Sequence, residues 1–260
     1  MTSLTPPLIC VVSDRTRTAE VASDHAEVPV PPAQRGAVAL DPLVPVPETV
    51  RPASQASPFA PLVNRLALAA RAGADLIQVR EPDLSGRELF QLISELIDAT
   101  RGSSARILVN DRLDVALASG AHGVHLKDES MDTARVRALV PAGFIVGRSV
   151  HTKEAAVAAA AAGADYLVFG TVFPTRSKAE GHPVAGLDAL AAVTRAVAVP
   201  VLAIGGMTTA RAPAVAAAGA AGIAAIGLFL EPSGSPEQIE RELRRTIDAV
   251  RKAFRAGGAA

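Results

Sequence analysis

The sequence predicts a single α/β domain, residues 1–260, folded as a (β/α)8 (TIM) barrel. Three observations carry this. Eight short Val/Ile/Leu-rich runs alternate with Ala- and Leu-rich stretches of helical spacing. From the second run onward the spacing is about twenty to thirty residues, the size of one strand–helix unit. The runs are apolar at successive positions, as strands buried on both faces of a parallel sheet are. An open doubly wound sheet is the competing arrangement, but no glycine fingerprint follows the first run.

The strands are read as LICVV (8–12), DLIQV (75–79), ILVN (107–110), GVHL (123–126), FIVG (144–147), YLVFG (166–170), VLAIG (201–205) and GIAAI (222–226). Four helical stretches reach a strand through the same signal: RAGADLIQV, ASGAHGVHL, AAGADYLVF and AAGAAGIAA. Glycine at this position is the expected helix stop. One segment breaks the rhythm. Residues 16–58 have no persistent period, and nine of the nineteen prolines fall between Pro29 and Pro61. This reads as a flexible, Pro-rich insertion after strand one, a tether without chemistry, with a lid or partner-binding segment as the alternative. The tail, residues 255–260, is expected to fray.

Composition narrows the function. Hydrophobic residues make up 49% of the chain and aromatics 3%, so the core must be aliphatic. Lys plus Arg equals Asp plus Glu at 26 each, which gives neither a basic field for nucleic acid nor a polybasic membrane surface. The uncharged part of the run from Ala212 to Leu230 is weakly hydrophobic and reads as helix, glycine turn and strand, not as a membrane span. Cys10 is the single cysteine, so a disulfide framework is excluded; its apolar setting suggests a buried thiol. The N-terminus lacks the pattern of a signal peptide, and a cytoplasmic location is expected. The oligomeric state is left open, a homo-oligomer included.

In a barrel of this kind the chemistry lies at the carboxyl ends of the strands. After strand two come Gln78 and Arg80, on one side of the chain, and Glu81; the arginine suits a phosphate or carboxylate, or a structural ion pair with Glu81. After strand three, Asn110 and Asp111 could bind a heterocycle edge, hold Mg2+ or cap the next helix. His125 lies within strand four and reads as a satisfied core histidine; Lys127, Asp128 and Glu129 follow it. Ser149 and His151 lie past strand five, where the histidine suits proton transfer or helix capping. After strand six, Thr175, Ser177 and Lys178 supply hydroxyls and one cation, suited to a diphosphate. Gly205 and Gly206 after strand seven, with Ile226 and Gly227 after strand eight, form a barrel phosphate site built from backbone N–H groups. Two anionic sites imply an enzyme that handles phosphorylated small molecules.

These residues resemble a known family. QVRE, VNDRLDVAL, GVHL, GRSVHT, ADYLVFGTVFPTRSK and VPVLAIGGMT look like the thiamine phosphate synthase and TenI family, in matching order. The resemblance implies a thiamine biosynthesis transferase that joins hydroxymethylpyrimidine diphosphate to thiazole phosphate and releases diphosphate, with Mg2+. It implies that Gln78, Arg80 and Asn110 contact the pyrimidine diphosphate and that Asp111 binds the metal. Ser149, Thr175, Ser177 and Lys178 would surround the diphosphate and thiazole. Gly206 and the Ile226–Gly227 backbone would hold the thiazole phosphate. Two positions depart from the synthase pattern: Pro82 replaces a lysine, and Ser130 falls where a second metal carboxylate is expected, with Asp128 or Glu129 as substitutes in a different register. The same family contains TenI-type thiazole tautomerases, which need no metal and would use His151 as the proton shuttle. A non-catalytic barrel that binds phosphorylated ligands and regulates is a third implication.

Overall fold

β1 (Leu8–Val12) pairs with both β2 (Leu76–Val79) and β8 (Gly222–Ala225), and this double pairing closes the sheet. The computed structural model describes residues 4–17, 57–176, 181 and 183–257. The eight strands are parallel and neighbour one another in chain order through β3 (Arg106–Asn110), β4 (Gly123–Leu126), β5 (Ile145–Val150), β6 (Tyr166–Phe169) and β7 (Val201–Ile204). The predicted (β/α)8 barrel is therefore the observed fold. Its helices are α1 (Ala60–Ala72), α2 (Gly86–Ala99), α3 (Leu113–Ser119), α4 (Thr133–Leu139), α5 (Lys153–Ala161), α6 (Gly186–Ala196), α7 (Ala212–Ala217), the short α8 (Gly227–Leu230) and α9 (Pro236–Gly257).

Alternation along each strand divides the apolar side chains into two layers. Outward residues such as Ile9, Ile77, Val109, Val124 and Val146 pack with the helices, while Leu8, Cys10, Leu76, Leu108, Ile145 and Tyr166 fill the barrel interior. Each fully buried aliphatic side chain contributes about 1.5–3 kcal/mol relative to exposure. Tyr166 is completely buried because its neighbour on β5 is Gly147; a Cβ there would fall inside the ring. The Cys10 thiol is pushed up to about 12, chiefly by burial and secondarily by Asp75, so it is inert as the sequence suggests.

The repeated Gly-Ala signal does more than end helices. Gly73, Gly120, Gly163 and Gly219 all take positive φ, as a left-handed helix stop requires. The residue two positions later then brackets one residue of the preceding strand. Asp75 donates its N–H to Ile9 O at 3.0 Å and accepts Ile9 N–H on its carboxylate at 2.8 Å. His122 does the same to Ile107, at 2.9 and 3.0 Å, through its backbone and Nδ1. Asp165 does so to Val146, both at 2.8 Å. Arg251 and Arg137 neutralise the two aspartates. In the fourth copy Ala221 makes the backbone bond to Val201 O at 2.8 Å but has no side-chain acceptor. These staples hold the amino end of the barrel, opposite the rim where the loops converge.

The run from Ala212 to Leu230 resolves into α7, a turn at Gly219, β8 and α8, as its composition suggests. Among the described residues no helix is long and apolar enough to cross a membrane. Most of the insertion expected at 16–58 lies outside the described residues. Its described start belongs to a helical turn, Arg15–Arg17, where Thr16 Oγ1 donates to Asp14 at 2.6 Å. α9 runs through Gly257, and Leu243, Ile247, Val250 and Phe254 form one buried stripe along it. Residues 258–260 lie outside the described residues.

Candidate active site

The carboxyl rim begins with a polar pair. Gln78 points inward at the end of β2, is buried, and donates from Nε2 to Asn110 Oδ1 on β3 at 3.0 Å. That bond fixes the amide of each residue and leaves further polar edges for a ligand. Arg80 follows, exposed, with its backbone N–H held by Ser13 Oγ at 2.8 Å. Its guanidinium makes no hydrogen bond or ion pair among the described residues. The structural ion pair with Glu81 is thus not formed. Glu81 turns inward, accepting from Ser13 Oγ at 2.5 Å and from Arg15 N–H at 3.2 Å. Burial raises its carboxyl above the usual range, against the lowering effect of those bonds.

Asp111 sits at the end of β3 with φ 63°, the one non-glycine at positive φ among the described residues. Arg112 N–H bonds Asn110 O at 2.8 Å across it, a γ-turn of the strained variety. The carboxylate does not cap α3, whose N-cap is Arg112 without a side-chain bond. Instead Oδ2 pairs with Lys127 Nζ at 2.6 Å, and Oδ1 accepts from Ser130 Oγ. Partial burial pushes this carboxyl up. The hydrogen bonds from Lys127 and Ser130 and the charges of Lys127 and Arg148 outweigh that and hold it below the ordinary carboxylate value. Asp128 and Glu129 are exposed and supply no second acid to the pair. Among the described residues no three His, Cys, Asp or Glu side chains gather as a metal site. With both Asp111 oxygens engaged by protein donors, the residues present do not fit the Mg2+ that the resemblance implies.

β5 is longer than expected and carries Arg148 and Ser149 within the strand. Ser149 Oγ lies 2.9 Å from His125 Nε2, and His125 Nδ1 lies 2.8 Å from Tyr166 OH. His125 is a satisfied core histidine, as read from the sequence, and it also sets the serine. Burial, with the Arg148 charge second, lowers its pKa to about 3, so the ring is neutral. Arg148 reaches over the β4 loop and donates to Asp128 O at 2.7 Å and Met131 O at 2.9 Å. His151, just past β5, bonds Gly170 O at 2.6 Å through Nδ1. A carbonyl only accepts, so Nδ1 carries the proton and donates it to Gly170 O. The helix-capping role falls to Thr152, which accepts Ala155 N–H at 3.1 Å.

The loops after β6 and β7 interlock. Val172 N–H bonds Ile204 O at 2.9 Å and Phe173 N–H bonds Gly205 O at 3.2 Å. Gly205 and Gly206 have φ 99° and 62°, and a Cβ on Gly206 would meet Pro174 O and, at 3.0 Å, Phe173 Cβ. Glycine is required here both by backbone conformation and by close approach. Arg211 donates to Gly206 O and stacks on Phe173, 4.6 Å from its centroid, tying the two loops together. Ile226 precedes Gly227 at the start of α8, where Arg17 and Glu231 form an ion pair beside the glycine. Thr175 is half-buried on the β6 loop. Ser177 and Lys178 lie outside the described residues.

The profile of the family described as thiamine monophosphate synthase (TMP-TENI) matches residues 52–229, more than half of the chain. The chain belongs to the thiamine monophosphate synthase family. Its similarity to the thiamine-phosphate synthase of Methanoculleus marisnigri is 44% identity over 184 residues, 71% of this chain and 87% of that protein. The putative thiamine-phosphate synthase of Geobacter sulfurreducens is 45% identical over 174 residues, 66% and 80% of the two chains. Among solved structures, thiamine phosphate pyrophosphorylase from Pyrococcus furiosus is 29% identical with a TM-score of 0.68, covering 95% of this chain and 96% of that one.

Within this thiamine monophosphate synthase fold, several rim residues escaped the sequence reading. Ser13 and Arg211 carried no motif, and Arg148, although inside GRSVHT, was given no role. For Ser13 and Arg148 the signal that could have found them is positional, since they lie just beyond and within a strand at its carboxyl end; Arg211 ends the turn Thr209–Arg211 before α7 and has no such signal.

Proposed function

We propose that this chain is a thiamine phosphate synthase, an enzyme that joins hydroxymethylpyrimidine diphosphate to thiazole phosphate. The observation that carries the reading is convergence. One closed rim holds a part-buried amide pair, an arginine beside it that makes no hydrogen bond or ion pair among the described residues, and a glycine-built cradle locked against the β6 loop. The names of the relatives supply the chemistry such a rim performs.

The bond between the pyrimidine methylene and the diphosphate oxygen breaks, and its electron pair leaves with the diphosphate. The pyrimidine cation is stabilised by resonance, and the thiazole nitrogen lone pair closes the new C–N bond. A transfer of this kind needs no side-chain nucleophile. It needs charge neutralisation and positioning. Gln78 and Asn110 orient the pyrimidine edge, and Arg80 meets the diphosphate. Ser149, fixed by His125, and Thr175 add hydroxyls, and the family resemblance assigns Ser177 to the same ligand. Lys178 neutralises charge on the departing diphosphate. The backbone of Gly205, Gly206, Ile226 and Gly227 takes the thiazole phosphate, whose anchoring aligns the nitrogen for attack. His151 binds the end of β6 through Gly170 and acts as a positioning residue. Since the residues around Asp111 do not fit Mg2+, no step is assigned to the metal. The tautomerase and non-catalytic readings are not favoured by the names that the relatives carry.

The test mixes purified protein with both phosphorylated precursors, with and without Mg2+, and follows thiamine phosphate by chromatography. Formation of thiamine phosphate with equimolar diphosphate is expected. Its absence under all conditions, with conversion of the thiazole tautomer instead, overturns the reading.

A further inference from the structure

We propose that Lys127 takes the place of a divalent cation at Asp111, so that this site binds the diphosphate group on protein cations alone. The inference rests on the synthase reading for the identity of its ligand. Mg2+ demands oxygens at about 2.0–2.1 Å in near-octahedral array and is usually held by carboxylates together with substrate phosphates. Here one Asp111 oxygen carries the Lys127 ammonium at 2.6 Å, and the other accepts the Ser130 hydroxyl. An ion on either oxygen would have to displace a protein donor.

The arrangement is built, not incidental to one flexible side chain. Lys127 N–H is held by Ser130 Oγ at 2.8 Å, and Ser130 N–H returns to Lys127 O at 3.1 Å. Lys127 and Ser130 thus form a closed turn that presents both donors to one carboxylate. Arg148 clamps the rest of that loop through Asp128 O and Met131 O. Asp111 is presented to the turn by its strained γ-turn at the end of β3. Serine stands where a second acid would be needed to hold an ion, and lysine stands where the ion's charge would lie. Ser130 offers Asp111 a neutral donor in place of a metal ligand, and Lys127 supplies a fixed positive charge. Lys127 meets Asp111 at this rim, and Arg80, exposed just past β2, has a guanidinium that makes no hydrogen bond or ion pair among the described residues.

The experiment uses the full chain with inorganic diphosphate as the probe. Calorimetric titrations in EDTA and in excess Mg2+ are made on the wild type, Lys127→Ala, and Lys127→Ala/Ser130→Asp, each checked for an unchanged thermal midpoint. Mn2+ binding to each free protein is read by electron paramagnetic resonance. Wild type is expected to bind diphosphate in EDTA within about threefold of its affinity in Mg2+, and to leave Mn2+ free. Lys127→Ala should lose about tenfold or more in EDTA and regain it with Mg2+, and the double variant should gain Mn2+ binding. A wild type that needs Mg2+ for diphosphate, or an EDTA affinity indifferent to Lys127→Ala, overturns the proposal. Thiamine phosphate formed only with Mg2+ also sinks it while leaving the synthase reading intact. Lys127-dependent diphosphate binding without any thiamine phosphate does the reverse.

Discussion

Ser149 Oγ lies 2.9 Å from His125 Nε2, so a hydroxyl at the mouth of the barrel is aimed by a ring sealed inside it. Because the folded ring titrates near 3 against an ordinary 6.5, the unfolded chain binds the proton more readily between those values. The contribution of this group is fully present above about pH 6.5 and is lost as pH falls towards 3. Within the window the slope should approach about 1.4 kcal/mol per pH unit. His125→Asn should flatten that part of the stability profile, measured by urea denaturation from pH 7 to pH 4. It should also reduce turnover by freeing Ser149.

Arg80 and Glu81 are neighbours with opposite fates, and their variants should separate. Arg80→Ala removes an exposed, unengaged guanidinium and should change stability by no more than about 0.5 kcal/mol. It should weaken diphosphate binding about tenfold. Glu81→Ala strands Ser13 Oγ and Arg15 N–H in a buried site and should cost about 2–4 kcal/mol. Thermal melts alongside calorimetry distinguish the two.

Gly206→Ala places a methyl group against Pro174 O and Phe173 Cβ at a φ of 62°. A loss of about 1–3 kcal/mol is expected from the strain and the contact. The displaced loop should raise KM for the thiazole phosphate more than it lowers kcat, which steady-state kinetics at saturating pyrimidine substrate would show.

His151→Ala breaks the bond to Gly170 O but removes no group that the transfer requires. Thiamine phosphate formation should therefore persist with a loss of about tenfold or less. A complete loss, with a pH profile that loses its basic limb, would indicate proton transfer at this ring instead.

Asp165→Ala removes the acceptor for Val146 N–H and the partner of Arg137, and should destabilise by about 2–4 kcal/mol. The converse change, Ala221→Asp, should gain about 1 kcal/mol by supplying Val201 with the missing acceptor. Chemical denaturation of both variants checks the pair.

Most of the architecture was legible because a parallel barrel writes its period into the chain. Apolar runs and Gly-Ala stops recur at a spacing that few other folds share. The carboxyl end of β5 was missed because Arg148 and Ser149 are polar: where strands line a polar mouth, the apolar signal fades before the strand does. Glycines 205 and 206 were legible because φ and close packing leave few other residues. By contrast, the contact of Lys127 with Asp111 and the inward turn of Glu81 join different strand ends, and spacing along the chain does not encode which rotamer meets which. Arg80 stayed open between a ligand and Glu81 for that reason; the two side chains part because adjacent residues at a strand end point to opposite sides.

The three side-chain staples bind each odd strand to the even strand that follows, for β1, β3 and β5. The seventh pair is fastened by backbone alone at that end, since Ala221 has nothing to offer Val201. The hoop therefore has a seam, and the seam runs up to the glycine cradle at the other rim. A phosphorylated guest spanning the loops of β7 and β8 becomes the missing fastener, so occupancy should slow amide exchange at Val201 more than at Ile9, Ile107 or Val146.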